Sequence, residues 1–184
     1  MRALRSPYGR LLDGLIHLAA VMAALCILSI CVLMVSMSLS REFGINLRGA
    51  DDLIAWLCAA SAFLILGQTF QHGGIVRVEI FLSRLSPIWK NRLEITALLV
   101  MSIFCLFALC AFSLFVYQSW EFNDVSQGQI IVPLWIPQIF AAVGCLIFFL
   151  SVVDELLRVL HGNKSRYQQI AEERLNAGDF GETL

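Results

Sequence analysis

Charge is what this chain lacks where a pump or a catalyst would need it. Asp, Glu, Lys and Arg make up only 15% of its 184 residues, against about 25% in an ordinary soluble domain. Four long apolar runs, residues 15–39, 53–70, 95–117 and 134–153, contain none of them. Ionisable groups inside a membrane mark proton relays and coupled ion sites, so these runs are poorly equipped to energise transport alone, and a drug/proton antiporter finds no buried carboxylate. The helix breaks at membrane depth from which transporter sites are built are missing too. No C-x-x-C occurs and no cysteine lies in a loop, which excludes a zinc site and a quinone-coupled disulfide oxidase. Free thiols are expected. Net charge is −1, so the clustered basic excess that grips a phosphate backbone is absent and nucleic acid is excluded as a partner.

What is present is apolar surface. The apolar fraction of 59% exceeds the roughly 45–50% of soluble domains, and a chain of this length cannot hide it in one globular core. The expected fold is an all-α integral membrane protein, a single four-helix domain over 1–184. Arg2, Arg5 and Arg10 precede a run too long for a signal-peptide core of about 7–15 residues and long enough for the roughly 20 that cross hydrocarbon. That run, about 15–39, is read as a retained first span. Asp51 and Asp52 open the second, about 53–70, where carboxylates suit the positive end of a helix dipole. His72-Gly73-Gly74 then stops the helix.

Residues 75–85 mix Ile75, Val78, Ile80, Phe81, Leu82 and Leu85 with Arg77, Glu79 and Arg84. Too short and too charged to span, this piece is expected to be a short interfacial amphipathic helix. Ser86-Pro87 reads as an N-cap with proline at the first helical position, leading to the third span at about 95–117. The fourth, about 134–153, takes Pro137 in its first turn, where a missing amide proton costs little. A polar tail is expected over 154–184.

Basic residues orient the chain. Eleven Lys and Arg fall on the side of the termini and the 75–85 piece, and two on the other, so both termini are expected in the cytoplasm. Trp56, Trp120 and Trp135 then mark the outer interface and Trp89 the inner one. The connection 118–132 faces outward with Glu121 and Asp124 and no base. Small residues four apart, Ala19 with Ala23, Ala20 with Ala24, Ala55 with Ala59 and Ala141 with Cys145, suit close helix approach in lipid. Phe104, Phe107, Phe112 and Phe115 read as packing or lipid-facing groups. No catalytic residue, metal ligand or cofactor is expected.

With four spans, both ends inside, and a second span ending in the polar turn of GGIVRVEIFLSRLSP, the chain resembles the small membrane subunit (DctQ-type) of tripartite ATP-independent periplasmic (TRAP) transporters. The family pattern is a basic residue, glycine, histidine and an apolar residue, then Arg-Val-Asp and a leucine-rich stretch ending near proline. Here His72 stands in the basic position, Ile75 where the histidine is usual, and Glu79 in place of the Asp. Ser126, Gly128 and PLWIPQ (133–138) are similar to the family's serine/glycine turn and proline-bracketed entry.

The resemblance implies a division of labour in the bacterial inner membrane. A periplasmic substrate-binding protein captures an organic anion, a large membrane subunit moves it on a sodium gradient, and the small subunit braces the large one within the bilayer. On that reading Gly73, Gly74, Arg77, Glu79 and Arg84 contact the large subunit, and Glu121 and Asp124 meet the binding protein. The alternative is a haem- or quinone-binding anchor of a redox complex, which requires facing histidines among His17, His72 and His161.

Overall fold

The computed structural model describes residues 7–44, 49–71 and 87–161. The glycine turn, the expected interfacial helix at 75–85 and the tail beyond 161 lie outside the described residues. Four helices account for most of the rest: α1 (Pro7–Glu42), α2 (Ala50–Gln71), α3 (Pro87–Glu121) and α4 (Trp135–Leu160). All four are long and apolar enough to cross a membrane, and no strand occurs among the described residues beyond one isolated bridge pairing Val125 with Pro133.

Nearly every helix overruns its expected span, because apolar composition marks the hydrocarbon layer whereas a helix continues until something breaks it. The breakers are local. Gly44, at φ 70°, returns its amide to the Arg41 carbonyl at 3.1 Å and closes α1 as a left-handed terminal glycine does. α2 stops at Gln71, just before His72-Gly73-Gly74. Pro87 begins α3, its fixed φ suiting the first helical position. At the other end of α3, Asn123 takes φ 51°. Its N–H donates to the Trp120 carbonyl at 3.3 Å and that of Asp124 to the Ser119 carbonyl at 3.0 Å, the paired bonds that seal a helix terminus. α4 continues past Val153 to Leu160, so the start of the expected tail is helical and packed.

The helices stack laterally in the order α1, α2, α4, α3, with α1 touching α4 only lightly. Along α1, Leu12, Ile16, Ala19 and Ala23 are buried and Cys26, Ile30, Leu33 and Met37 half-buried. Steps of four and three alternate, the seam of helices crossing at a shallow angle. α2 is used on two faces. Leu64 joins Leu12, Ile16, Ala19, Ala23 and Ile147 in one apolar cluster, while the ring of Phe70 meets Phe148 of α4 edge-on at 5.8 Å. A second cluster joins Phe70, Leu98, Cys105, Val152 and Val159, and Phe63 meets Phe112 of α3 edge-on at 5.0 Å.

Glycine sets the closest approach. A Cβ on Gly144 would lie 2.6 Å from the backbone carbonyl of Phe63, so the bare Cα of Gly144 lets α4 come down onto the backbone of α2. Gly67 sits at the crossing of three helices, with Ile147, Ser151 and Ile16 around it.

Of the small-residue pairs, Ala19 with Ala23 and Ala141 with Cys145 lie in these seams. Ala24, Ala55 and Ala59 are exposed, facing away from the other helices. α3 is the least enclosed: its most apolar window is 6% buried, against 33% for α4. Phe104, Phe107 and Phe115 point outward, as lipid-facing groups should.

Candidate functional site

The alternating helices create two poles. One holds the ends of α1 and α3 and the starts of α2 and α4, with the loop 122–134 joining α3 to α4. The other holds the opposite ends.

At the first pole the loop is a built structure. Backbone bonds from Ser126 N–H to the Val132 carbonyl, at 2.9 Å, and from Leu134 N–H to the Asp124 carbonyl, at 3.0 Å, fold it into a short antiparallel arch. Inside the arch the Gly128 amide donates to Ser126 Oγ at 3.2 Å. The arch is then fastened to α2. The Gln129 N–H donates to Asp52 Oδ2 at 3.0 Å across 77 positions of sequence. Gly128 lies so close to that carboxylate that a Cβ there would collide with it. A Cβ on Gly49, at φ 83°, would likewise strike the Ile130 side chain.

This pole presents carboxylates and apolar groups together. Glu121, the last residue of α3, and Asp124 are both exposed, with Asp51 and Glu42 on the neighbouring helix ends. Phe43, Trp120, Phe122 and Val125 are exposed as well, and Ile131 is 79% exposed at the crest of the arch. Tyr117 and Trp120 lie ring to ring at 6.4 Å.

At the opposite pole, charges expected in solvent are partly enclosed. Glu94 of α3 and Glu155 of α4 are buried, at 9% and 5% exposure, and neither is without a partner. Asp154 and Arg158 form an ion pair at 2.9 Å, one turn apart on α4. The Arg158 guanidinium lies against Gly9 of α1. Trp89 is exposed, with the Arg92 guanidinium 6.0 Å from its ring centroid.

Of the residues expected to act, Glu121 and Asp124 stand together at the first pole, while Gly73, Gly74, Arg77, Glu79 and Arg84 lie outside the described residues. Sequence reasoning missed the fastening made by Asp52, Gly49, Gly128 and Gln129. Asp52 was legible only as a helix-dipole partner, since its contact with Gln129 depends on how α2 and α4 are stacked. No group of three or more His, Cys, Asp or Glu placed to hold a metal occurs among the described residues. His17 and His161 are both exposed, and the His161 ring binds the Leu157 carbonyl of its own helix at 2.6 Å. His72 lies outside the described residues.

The family model for tripartite ATP-independent periplasmic transporters, DctQ component, matches residues 30–162. That interval takes in the last third of α1, all of α2, α3 and α4, and the arch. Searches of curated proteins and of solved structures returned no match.

Proposed function

The chain belongs to the DctQ component family of tripartite ATP-independent periplasmic transporters, a multi-pass membrane protein of a transport system, and from that premise we propose that it braces the large membrane subunit and helps dock the binding protein. The observation that carries the reading is the mismatch between membership of a transporter and spans 15–39, 53–70, 95–117 and 134–153 that hold no Asp, Glu, Lys or Arg. Coupled transport needs ionisable or ion-binding groups at membrane depth, so the sodium-driven movement of an organic acid belongs to the large subunit. What this chain offers is surface. Edge helices α1 and α3 expose rows of Leu, Val, Ile and Phe, suited to lipid on one side and a membrane partner on the other.

The chain sits in the bacterial inner membrane with both termini in the cytoplasm, as its eleven-to-two distribution of Lys and Arg favours. The first pole then faces the periplasm. Glu121 and Asp124, with the apolar crest of the arch, meet the binding protein there. Gly73, Gly74, Arg77, Glu79 and Arg84 position the cytoplasmic interfacial segment against the large subunit. The redox-anchor alternative finds no support in the exposed positions of His17 and His161.

Co-expression with the large subunit and purification in detergent tests the bracing role: the two chains should co-elute, and separate elution under every mild detergent would overturn it.

A further inference from the structure

We propose that Asp52 is a positioning residue for docking: its carboxylate holds the 122–134 arch as a preformed surface for the soluble binding component. The inference rests on the reading that this pole receives that component, and adds what keeps the surface ready.

The arch is long for a connection between packed helices and carries exposed apolar side chains at Phe122, Val125 and Ile131. Its internal bonds shape it, but side-chain attachment to the helical layer comes from Asp52. That carboxylate accepts the Gln129 N–H at 3.0 Å. A charged acceptor makes this stronger than a neutral backbone bond. Two glycines let the loops come this close. Gly128 places its bare Cα against the same carboxylate, and Gly49 leaves room for Ile130 just before α2 begins. A side chain at position 128 would force the Asp52 carboxylate aside, and one at position 49 would displace the Ile130 side chain and strain a backbone at φ 83°. Asp52 is half-buried and its carboxylate is engaged by the arch at the solvent surface, whereas Asp51 beside it is exposed, so the two neighbouring acids have different duties.

Without the fastening, the arch samples other positions, and a partner that needs one of them sees only the fraction in place. Apparent affinity falls by that fraction while the step after docking is untouched. Asparagine at position 52 keeps an oxygen able to accept the Gln129 N–H; alanine does not.

The test uses the complete transporter in proteoliposomes with its purified binding protein. Uptake is measured against binding-protein concentration for wild type, Asp52→Ala, Asp52→Asn and the surface double variant Glu121→Gln/Asp124→Asn. Hydrogen exchange is followed on peptides containing Gln129. Asp52→Ala should raise the half-maximal binding-protein concentration about fivefold or more, the loss of one charge-assisted hydrogen bond, at an unchanged maximal rate, with faster exchange at Gln129. Asp52→Asn, which keeps an acceptor oxygen without the charge, should fall between wild type and Asp52→Ala in both readouts.

If the surface variant raises that concentration and Asp52→Ala does not, the positioning role is wrong although the docking reading stands. If the surface variant has no effect, the docking reading fails, and faster exchange at Gln129 in Asp52→Ala then shows a fastening without a docking role. A fall in maximal rate with loss of co-elution in Asp52→Ala would reduce Asp52 to general stability and overturn the proposal.

Discussion

Replacing Gly144 by alanine tests the packing of the helical layer at its tightest point. The added Cβ would stand 2.6 Å from the carbonyl carbon and oxygen of Phe63 and 2.8 Å from its Cβ. The obstacle is backbone, so no rotamer change can clear it. Ordinary contact begins at 3.4 Å, and α4 must therefore retreat from α2 by several tenths of an ångström along the seam. Overpacking of this kind costs about 1–3 kcal/mol.

In water the better helix propensity of alanine would return up to about 1 kcal/mol. In lipid it returns little, because separated helices remain helical to satisfy their backbones. Two companion substitutions bracket the effect. Gly67→Ala meets Ile147 Cγ2 at 3.1 Å and Ser151 Oγ at 3.4 Å, both side-chain atoms that can give way, and should cost less than about 1 kcal/mol. Gly14→Ala meets nothing within 4 Å and should be neutral.

The assay is unfolding in mixed micelles with increasing dodecyl sulfate, read by the intrinsic fluorescence of the four tryptophans, of which Trp56 and Trp135 lie near the starts of α2 and α4. Midpoints should fall in the order Gly14→Ala equal to wild type, then Gly67→Ala, then Gly144→Ala. A wild-type midpoint for Gly144→Ala, or an equal fall for Gly14→Ala, would refute the claim that close α2–α4 approach holds the layer together.

Two further substitutions separate the seams from the lipid face, and a labelling experiment tests orientation. Leu98, 2% exposed between Phe70 and Val152, leaves a cavity when cut to alanine. With lipid as apolar as the core, only the cavity part of the usual penalty remains, roughly 1–2 kcal/mol in the same unfolding assay. Phe107→Leu, at a position 71% exposed, should shift stability by less than about 0.5 kcal/mol; a loss as large as that of Leu98→Ala would mean that α3 packs outward. In a chain freed of native cysteines, Gln127→Cys on the arch should react with a membrane-impermeant maleimide added to intact spheroplasts. Labelling only after the membrane is opened would reverse the orientation.

Much of the architecture was legible because lipid simplifies the physics. Every backbone group in hydrocarbon must be bonded within its own helix, so a charge-free run of sufficient length already means a helix, and Pro87 at the start of α3 and the 118–132 connection after it could be read residue by residue. Family membership was legible too, from the order and spacing of the glycine turn and the proline-bracketed fourth span. Helix ends were less so: α1 and α3 run on into regions that hydropathy assigns to water, since propensity outlasts apolarity.

Pairing was the hidden part. Ala55 and Ala59 have the spacing of a packing motif and face outward, whereas Gly144, beside the Ala141 and Cys145 pair, lies against the backbone of Phe63 on another helix. Glu155 was placed in a solvated tail and is buried. Asp52 looked like a dipole partner and holds a loop 77 residues away.

The sequence by itself determined that there are four apolar helices long enough to cross a membrane, which family they belong to, and through the basic residues which way they are expected to point. Those properties depend on local composition against a uniform apolar solvent. Only the tertiary structure decided that the helices stack as α1, α2, α4, α3, which small residues meet, and that the 122–134 arch is fastened to α2. In lipid all apolar faces are nearly equivalent, so the choice among them is made by shape, at contacts such as Gly144 on Phe63, which can be seen only once both helices are in place.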